Sequence, residues 1–370
     1  MKTHTFLRVS RKYILLGGFI HMKAAVFYGT KDVRIEDVKE PVVSAGKVKV
    51  AVAWTGICGS DLHAYHHGLG VAYEEHPISG RKVPLILGHE FSGTVTEIGE
   101  GVSNVAIGDK VAIEPNLHCG QCESCRKGNY HLCEVSNAGF IGLAADGGFA
   151  EFVVADAKYF HKLPNEMSLE EGALVEPTAV AFHAVRKSRL KVGESAAIFG
   201  AGPIGLLTLL CAQAAGASET FVIDVSEERL NKAKELGATY TINPLNEDAV
   251  AKIMEVTGNG VAVAFEAAGA QPTVTSALNC LIKQGTLLVI AGFAGEITID
   301  PNALLLKEAN IVFSLAYANE FPEVIKLISE GKLDVKQVIT KQIQLDNLVE
   351  DGLELLIKDK SQAKILVKPN

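Results

Sequence analysis

Residues 195–315 alternate short apolar segments with stretches that have helical periodicity. Strands separated by helices of this length build parallel sheets with helices on both faces, so we predict a doubly wound α/β domain here. The predicted strands are Ala196–Phe199, Thr220–Asp224, Tyr240–Asn243, Val261–Glu266, Thr286–Ala291 and Ile311–Ser314. The predicted helices between them are Pro203–Ala215, Glu227–Leu236, Ala249–Val256 and Thr273–Ile282.

A glycine-rich turn follows the first predicted strand. Gly200, Gly202 and Gly205, with Pro203 and Ile204 between the last two, form a G-x-G-x-x-G pattern that opens a helix. The pattern alone is weak evidence. Between a strand and a helix, however, its glycines permit a tight turn and a close approach of pyrophosphate. The helix N-terminus stabilises phosphate groups, so we predict a dinucleotide site here.

An acidic residue, Asp224, ends the second predicted strand. A carboxylate at this point accepts hydrogen bonds from the ribose hydroxyls and repels a 2′-phosphate, which favours NAD(H) over NADP(H). Arg229 and the hydroxyl of Ser226 weaken this preference, because both can partly compensate a phosphate. The alternative interpretation is that Asp224 only caps the following helix.

The remaining sequence is typical of a second domain. Up to about residue 170 it shows strand-like alternation, as in Lys47–Ala53, and from about residue 318 we interpret the tail as rejoining this first part. We therefore predict a β-rich domain of residues 22–175 and 318–370, with a dinucleotide-binding domain of residues 176–317 inserted in it. The tail is predicted to contain helices Phe321–Ser329 and Asn347–Lys358 and strands Ile343–Leu345 and Ala363–Val367.

Residues 1–21 are interpreted as an extension that plays no part in the fold. Its basic residues and the apolar run Tyr13–Ile20 superficially resemble a signal peptide. The run is short, Gly17 and Gly18 interrupt it, and no clear small-residue cleavage site follows before Met22. No other segment approaches transmembrane length without polar interruption, so we expect no membrane partner. The net charge of −8, without a cluster of basic residues, argues against a nucleic-acid partner.

Four of the seven cysteines, Cys119, Cys122, Cys125 and Cys133, fall in one short segment. Four thiolates in such a loop can close a tetrahedron around a structural zinc ion. An iron–sulfur cluster is the best rival, but the last spacing is wrong for it and no proline follows Cys133. A redox-labile thiol cluster is a further alternative. Metal binding fits a reducing compartment better than a disulfide framework does, so we expect a cytoplasmic protein.

A second set of metal-binding residue types surrounds the stretch Gly88–Val102. His89 and Glu90 open it, and Cys58 lies where a predicted strand ends and a helix begins. The spacing G-H-E-x2-G-x5-G-x2-V resembles the signature of the zinc-dependent alcohol dehydrogenases of the medium-chain dehydrogenase/reductase superfamily. That resemblance implies a GroES-like β-rich catalytic domain joined to a Rossmann domain, and two zinc ions per subunit, one catalytic and one structural.

The resemblance also implies roles for individual residues. Cys58 and His89 match the family's first two catalytic zinc ligands, and Glu176 stands where the polyol branch places the third. Glu90 would be a ligand or a partner of the ligands, and the choice between the two carboxylates stays open. Ser60 and His63 match the family's proton relay; their structural alternatives are a helix cap and an exposed helix histidine.

Within the superfamily, the chain resembles the bacterial 2,3-butanediol dehydrogenases (acetoin reductases) more than other branches. The residues that carry this likeness are Cys58–Tyr65, Gly88–Gly93, Ala173–Ser188 and Lys358–Asn370. The likeness implies NAD(H)-dependent oxidation of (R)-configured vicinal diols and reduction of acetoin or diacetyl. Some butanediol dehydrogenases lack the four-cysteine lobe, which is kept here.

Several alternatives stay open. Sorbitol and L-threonine dehydrogenases share most of these motifs. A non-catalytic NAD-binding sensor on the same scaffold would not need Cys58, His89 or Ser60. The family forms dimers and tetramers, and the apolar run Leu287–Phe293 followed by Glu296–Ile299 is compatible with pairing of sheet edges between subunits.

Overall fold

The computed structural model describes residues 15–16 and 19–369. A small antiparallel sheet forms near the N-terminus around one β-hairpin. The hairpin strands are Phe19–Gly29 and Asp32–Lys39, and the short strands Leu15–Leu16 and Leu85–Ile86 pair with the first of them.

The first hairpin strand begins before Met22. His21 pairs with Lys39, and the Glu40 amide donates a hydrogen bond to the Ile20 carbonyl. The strand extends backwards because its ladder of hydrogen bonds continues past Met22. Part of the predicted extension, residues 15–16 and 19–21, therefore belongs to a sheet, and its other residues lie outside the described part of the chain.

The second sheet combines strands from both ends of the chain. Strand Lys47–Gly56 pairs antiparallel with Glu90–Ile98, with Phe152–Asp156 and with the tail strand Lys364–Lys368. The sequence on either side of the parallel domain thus shares one sheet, which we call the central sheet. Its main path runs in the order Ile339–Gln344, Lys364–Lys368, Lys47–Gly56, Glu90–Ile98, Lys110–Ile113 and Phe160–Lys162.

The third sheet is parallel throughout and confirms the predicted doubly wound domain. Its strands lie in the order Tyr240–Ile242, Thr220–Ile223, Ala196–Phe199, Val261–Glu266, Leu281–Val289 and Asn310–Phe313. Its helices are Val175–Ser188, Pro203–Ala214, Glu227–Glu235, Ala249–Thr257, Gln271–Asn279 and Pro301–Lys307. One apolar core joins it to the central sheet, because buried Ala112 and Leu366 pack in the same cluster as Leu206 and Phe265.

The structure corrects the prediction about the sheet edge. Strand Leu281–Val289 begins earlier than predicted and lies inside the sheet, between Val261–Glu266 and Asn310–Phe313. Its last three residues are buried, which is why an interior position suits this apolar run better than an edge. The edge strand on this side of the sheet is Asn310–Phe313, so the part of the run that lies in the strand, Leu287–Val289, is not a pairing edge.

The other helical segments are short, and the predicted helix Asn347–Lys358 is broken into three pieces. A 3₁₀ turn Leu345–Asn347 leads into a π-helical segment Leu348–Glu354 and then an α-helical turn Leu355–Lys358. The remaining α-helices are Gly59–His67, Glu123–Arg126, Leu169–Ala173 and Phe321–Ser329, and the remaining 3₁₀ turns are Tyr130–Leu132, Ala157–Tyr159 and Val335–Val338. Across the described residues, every helix is too short or too polar to cross a membrane.

Gly93 is expected to be essential for the packing of the central sheet. It lies opposite Val52, and a Cβ at this position would lie 2.1 Å from the Ala51 carbonyl oxygen. Because both strands are held in the sheet, we expect Gly93→Ala to lower the free energy of unfolding by about 1–3 kcal/mol. Thermal denaturation measures the effect. Gly295→Ala is the control, since its added Cβ meets no atom within 4 Å, and an unchanged Tm for Gly93→Ala would contradict the packing.

Candidate active site and metal centres

The register of one strand pair brings the first candidate site together. Gly56 ends one strand of the central sheet and lies opposite Glu90, which begins the next. Cys58 follows the first strand by two residues, and His89 directly precedes the second. One metal-binding atom from each of Cys58, His89 and Glu90 therefore falls in a group whose members all lie within 4.8 Å of one another.

Asp61 lies against the far side of the His89 ring. Its Oδ1 is 3.6 Å from His89 Nδ1, and among the described residues neither atom has a hydrogen-bond partner. The Cys58 amide donates to the other Asp61 oxygen over 2.9 Å, which holds the carboxylate in place. Burial lowers the pKa of His89, but the nearby charges of Asp61 and Cys58 outweigh burial and raise the pKa well above its usual value. An imidazole that binds a metal through Nε2 donates its Nδ1–H to a carboxylate placed in this way.

Glu90 is held by a buried lysine from the other end of the chain. Lys364 Nζ donates to the two Glu90 oxygens over 2.8 and 2.6 Å and to the Ile57 carbonyl over 3.0 Å. Gly56 makes room for this pair, because a Cβ there would lie 2.1 Å from Glu90 Oε2. Loss of either partner would leave an uncompensated buried charge, so the pair fixes the orientation of Glu90.

Glu176 lies in the same cavity but outside the compact group of Cys58, His89 and Glu90. It is in the first turn of helix Val175–Ser188 and accepts a hydrogen bond from the Tyr317 hydroxyl over 2.8 Å. Burial raises the pKa of Glu176 to about 7. Both carboxylates thus face the site, and their different partners distinguish them.

This donor set fits a zinc ion. A thiol, an imidazole and carboxylates are the side chains that bind catalytic zinc. The group that contains Cys58, His89 and Glu90 is compact enough for a common ion. Two buried carboxylates, Glu90 and Glu176, share the surroundings of a single buried lysine, Lys364. A divalent cation would balance the negative charge that this lysine leaves uncompensated.

The two residues predicted to move protons lie at different depths. Ser60 Oγ is 3.2 Å from His89 Nε2, and Ser60 lines the cavity. His63 is exposed on the same helix, Gly59–His67, with its ring centroid 6.4 Å from that of His67. The helix therefore connects the cavity with the protein surface.

The four predicted structural ligands also come together. The Sγ atoms of Cys119 and Cys125 are 4.0 Å apart, and those of Cys122 and Cys133 are 3.8 Å apart. Four sulfurs bound tetrahedrally to zinc at about 2.3 Å lie about 3.8 Å from one another, so the spacing fits. Backbone hydrogen bonds from residues 121 and 122 lower the pKa of Cys119 to about 6, which favours the thiolate that a metal needs. We call residues 119–133 the cysteine lobe.

The glycine-rich turn has the shape of a phosphate cradle. Gly200 has a φ of +103°, and a Cβ on Gly205 would lie 1.8 Å from the Gly200 carbonyl oxygen. A Cβ on Gly202, by contrast, would meet no atom within 4 Å, so this side of the turn is open to a ligand. Pro203 is the first residue of helix Pro203–Ala214, whose N-terminus faces the turn.

Asp224 directly follows the strand Thr220–Ile223, beside the glycine-rich turn. Its carboxylate accepts hydrogen bonds from the Ala201 amide over 2.7 Å and from the Ser226 amide over 2.9 Å. Arg229 lies 3.9 Å from Asp224 and donates to the Lys360 carbonyl over 2.8 Å. The carboxylate is thus fixed at the position predicted for ribose recognition.

A cavity of about 280 Å³ lies where the two domains meet. Ile204, from the glycine-rich motif, and Cys58, from the candidate metal group, both line it, so the cofactor and metal sites share one space. Its polar side chains are those of Cys58, Ser60, His89, Glu90 and Glu176. The remaining lining is apolar and includes Phe140, Leu143, Val180, Ile290, Leu315 and Ala316.

Three residues of the site were not identified from the sequence: Asp61, Tyr317 and Lys364. Asp61 carried a signal, since it lies in helix Gly59–His67 between the N-cap residue Cys58 and His63. Lys364 was marked only by being a charged residue at the start of an apolar closing strand. Tyr317 carried none, because its contact with Glu176 spans 141 residues.

Two family models match the chain. The model of the alcohol dehydrogenase GroES-like domain matches residues 44–165, and the model of the zinc-binding dehydrogenases matches residues 203–330. The first contains the cysteine lobe and the Cys58–His89–Glu90 group, and the second begins inside the glycine-rich motif.

Similar proteins cover nearly the whole chain. An (R,R)-butanediol dehydrogenase from Bacillus subtilis is 44% identical over 94% of this chain and 100% of its own length. A sorbitol dehydrogenase from the same species is 35% identical over 95% of this chain and 98% of its own length.

Solved structures share this fold. The crystal structure of the B. subtilis 2R,3R-butanediol dehydrogenase has a TM-score of 0.89 and 44% identity over 94% of this chain and 100% of that chain. A zinc-binding dehydrogenase from Sinorhizobium meliloti 1021, solved with NADP, has a TM-score of 0.84 and 30% identity over 94% and 99% of the two chains. The chain therefore belongs to the zinc-binding alcohol dehydrogenases of the medium-chain dehydrogenase/reductase superfamily.

Proposed function

We propose that this protein is an NAD(H)-dependent zinc alcohol dehydrogenase that interconverts 2,3-butanediol, acetoin and diacetyl. The character of the cavity is the observation that carries the substrate assignment. It is small and apolar, and its polar groups all belong to the candidate metal and proton-transfer residues. The similarity to butanediol dehydrogenases supports the same assignment.

The cavity favours a short diol over the alternative substrates. Sorbitol carries hydroxyl groups along its whole chain, and most of them would be buried against Phe140, Leu143 and Ile290 without partners. L-Threonine needs a cation for its carboxylate, and no lysine or arginine is among the described residues that line the cavity. The methyl groups of butanediol fit this apolar lining. Its two oxygen atoms can both be accommodated beside the polar side chains of the metal and proton-transfer residues.

The catalytic zinc would be held by Cys58, His89 and a carboxylate. Glu90 fits the role because its carboxylate lies close to the Cys58 thiol and the His89 ring. Glu176 fits it because its carboxylate lines the same cavity. When bound, zinc would supply Lewis acidity to the substrate oxygen, and the nicotinamide would supply the hydride donor or acceptor for the carbon that bears this oxygen. Asp61 would fix the His89 ring, and Lys364 would hold Glu90 in place.

Ser60 and His63 would carry the proton. The Ser60 hydroxyl lies in the cavity beside His89, where it could accept the proton that the alcohol loses while passing its own proton on, by way of the ribose of a bound nicotinamide, towards His63. The exposed ring of His63, three residues further along the helix, can release a proton to water. The apolar lining meanwhile limits the access of water to the reacting groups.

The glycine-rich turn and Asp224 would bind the cofactor. Gly200, Gly202 and Gly205 let the pyrophosphate approach the N-terminus of helix Pro203–Ala214. The fixed Asp224 carboxylate favours NAD(H), and Arg229 is already engaged by Asp224 and Lys360. The cysteine lobe would hold the second, structural zinc, which fits a protein of the reducing cytoplasm whose seven cysteines are all free.

We also propose that the protein is a homodimer or a homotetramer. The edge strand Asn310–Phe313 pairs on one side only within the described residues, and Phe313 is 61% exposed. Leu305 and Leu306 on the neighbouring helix are 73% and 79% exposed. An unpaired strand bordered by exposed apolar side chains suits pairing with a second copy of the chain.

A substrate and cofactor panel tests the proposed function. Acetoin and diacetyl with NADH, and 2,3-butanediol with NAD⁺, should give kcat/KM at least about tenfold higher than sorbitol or L-threonine, because unpaired polar groups disfavour those substrates. NADP(H) should be the poorer cofactor in every pair. A preference for sorbitol or L-threonine would contradict the substrate assignment while leaving the family unchanged.

Substitution of Cys58 and His89 tests the metal mechanism, because both would be zinc ligands whichever carboxylate completes the site. Cys58→Ser and His89→Ala should each lower kcat by about a thousandfold or more, because the Lewis acid contributes several kcal/mol to the reaction. NADH binding, measured by fluorescence, should persist, since the glycine-rich turn is untouched. Cys280→Ala, in the core of the parallel domain, is the control and should keep turnover. Wild-type turnover in Cys58→Ser or His89→Ala would rule out the mechanism.

Light scattering tests the proposed assembly. The wild-type mass should be two or four times the 39.4 kDa of one chain. Phe313→Lys should shift the protein towards monomer, because it places a charge at the proposed interface. Leu245→Lys is the control, since Leu245 is also exposed but follows Tyr240–Ile242, the strand at the opposite edge of the sheet. A monomeric wild-type protein would contradict the proposal.

A further inference from the structure

One loop of the parallel domain contacts both the cavity and the cysteine lobe. It comprises residues 314–320, between strand Asn310–Phe313 and helix Phe321–Ser329, and we call it the strap. Leu315 and Ala316 line the cavity, and the next residue is Tyr317. The strap therefore forms part of the wall of the active site.

Tyr317 places its hydroxyl on Glu176, which lines the cavity and, unlike Glu90, has no hydrogen bond from a lysine among the described residues. The residue is fully buried, and its hydroxyl donates to Glu176 Oε1 over 2.8 Å. The Asn116 side chain donates to the Tyr317 carbonyl over 3.1 Å, and the ring centroid lies 5.4 Å from that of Phe321. Tyr317 is thus held at its carbonyl, its ring and its hydroxyl, and the hydroxyl is directed at Glu176.

The far end of the strap is attached to the cysteine lobe. The Asn319 amide donates to the Tyr130 hydroxyl over 2.7 Å, and its side chain donates to the Gly128 carbonyl over 3.2 Å. Gly128 and Tyr130 both lie between Cys125 and Cys133, inside the proposed structural zinc site. The Tyr130 hydroxyl also donates a hydrogen bond to Glu114, so the group that accepts the hydrogen bond from the strap is itself held in place.

The backbone of the strap is strained at two places. Ala316 has a φ of 47° and Asn319 a φ of 69°, the left-handed region that side chains other than glycine disfavour. Such conformations persist only where the surroundings hold them. The contacts of Asn319 with the lobe and of Tyr317 with Glu176 are the restraints on either side of this strain.

Building on the function proposed above, we propose that Tyr317 is a positioning residue that orients Glu176 towards the catalytic metal. The cysteine lobe keeps Tyr317 in place through Tyr130 and Asn319. The lobe then does more than stabilise the fold, because its integrity sets the geometry of a carboxylate in the active site. A purely structural role for the same hydrogen bonds would change stability without changing the catalytic metal's surroundings.

The test uses the full-length enzyme with cobalt(II) exchanged into the catalytic site, whose visible absorption reports ligand geometry. Tyr317→Phe removes only the hydroxyl and should change this spectrum and lower kcat about tenfold, since a hydrogen bond to a charged group is lost. The KM for NAD⁺ should stay at the wild-type value. Tyr159→Phe is the matched control, because the hydroxyl of that buried tyrosine accepts, among the described residues, one hydrogen bond, from the His118 amide over 3.4 Å, and its loss should leave spectrum and kcat unchanged.

Two further variants test the connection to the lobe. Tyr130→Phe removes the acceptor of the Asn319 amide, and Asn319→Gly keeps the backbone conformation but removes the contact with Gly128. Each should shift the cobalt spectrum in the same direction as Tyr317→Phe, with a smaller loss of kcat. The double variant Tyr130→Phe/Tyr317→Phe should resemble Tyr317→Phe alone, because both changes act through one contact.

The outcomes separate this proposal from the proposed function. A wild-type cobalt spectrum in Tyr317→Phe overturns the positioning role of Tyr317. Wild-type spectra in both Tyr130→Phe and Asn319→Gly overturn the claim that the cysteine lobe keeps Tyr317 in place. The spectra are recorded without substrate, so failure of the butanediol assignment leaves them interpretable. If Tyr317→Phe folds poorly, wild-type cobalt spectra in both Tyr130→Phe and Asn319→Gly would still overturn the link between the cysteine lobe and the active site. Asn319→Gly should fold, because Asn319 is exposed and glycine suits its positive φ.

Discussion

Buried negative charge is the constraint around which the active site is built. The antiparallel pairing of Gly56 with Glu90 sets the Cys58 thiol, the His89 ring and the Glu90 carboxylate side by side. A buried carboxylate is costly unless a cation or hydrogen-bond donors accompany it. Lys364 supplies one positive charge, and a zinc ion held by Cys58 and His89 would supply the remainder, so metal binding and folding of this corner would depend on each other.

The same constraint explains why distant parts of the chain meet here. Lys364 comes from the closing strand and Tyr317 from a loop of the parallel domain, yet each contacts one carboxylate of the site. Glu90 and Glu176 thereby acquire different surroundings. Glu90 is paired with the Lys364 ammonium group, whereas Glu176 accepts a hydrogen bond from the Tyr317 hydroxyl, and burial raises the pKa of Glu176 to about 7. Two carboxylates with different partners are suited to different roles at one metal, a ligand and an exchangeable neighbour.

Much of this organisation could be predicted from the sequence, because its signals are local. The G-x-G-x-x-G turn, Asp224 and the strands Ala196–Phe199 and Val261–Glu266 follow from patterns within a few residues of one another. The spacing of the four cysteines likewise predicted a site whose sulfurs the structure brings together. The contacts of Lys364 with Glu90 and of Tyr317 with Glu176 could not be predicted, because they span 274 and 141 residues and depend on tertiary packing. The edge of the parallel sheet was misassigned for a similar reason, since an apolar run does not reveal which strand is last.

Anomalous diffraction at the zinc absorption edge, from crystals grown with NAD⁺, tests the central claim most directly. The account predicts two peaks per chain. One should lie among the sulfurs of Cys119, Cys122, Cys125 and Cys133, and the other within bonding distance of Cys58 Sγ and His89 Nε2, beside the nicotinamide. A map with no peak at Cys58 and His89 in crystals of active enzyme would contradict it.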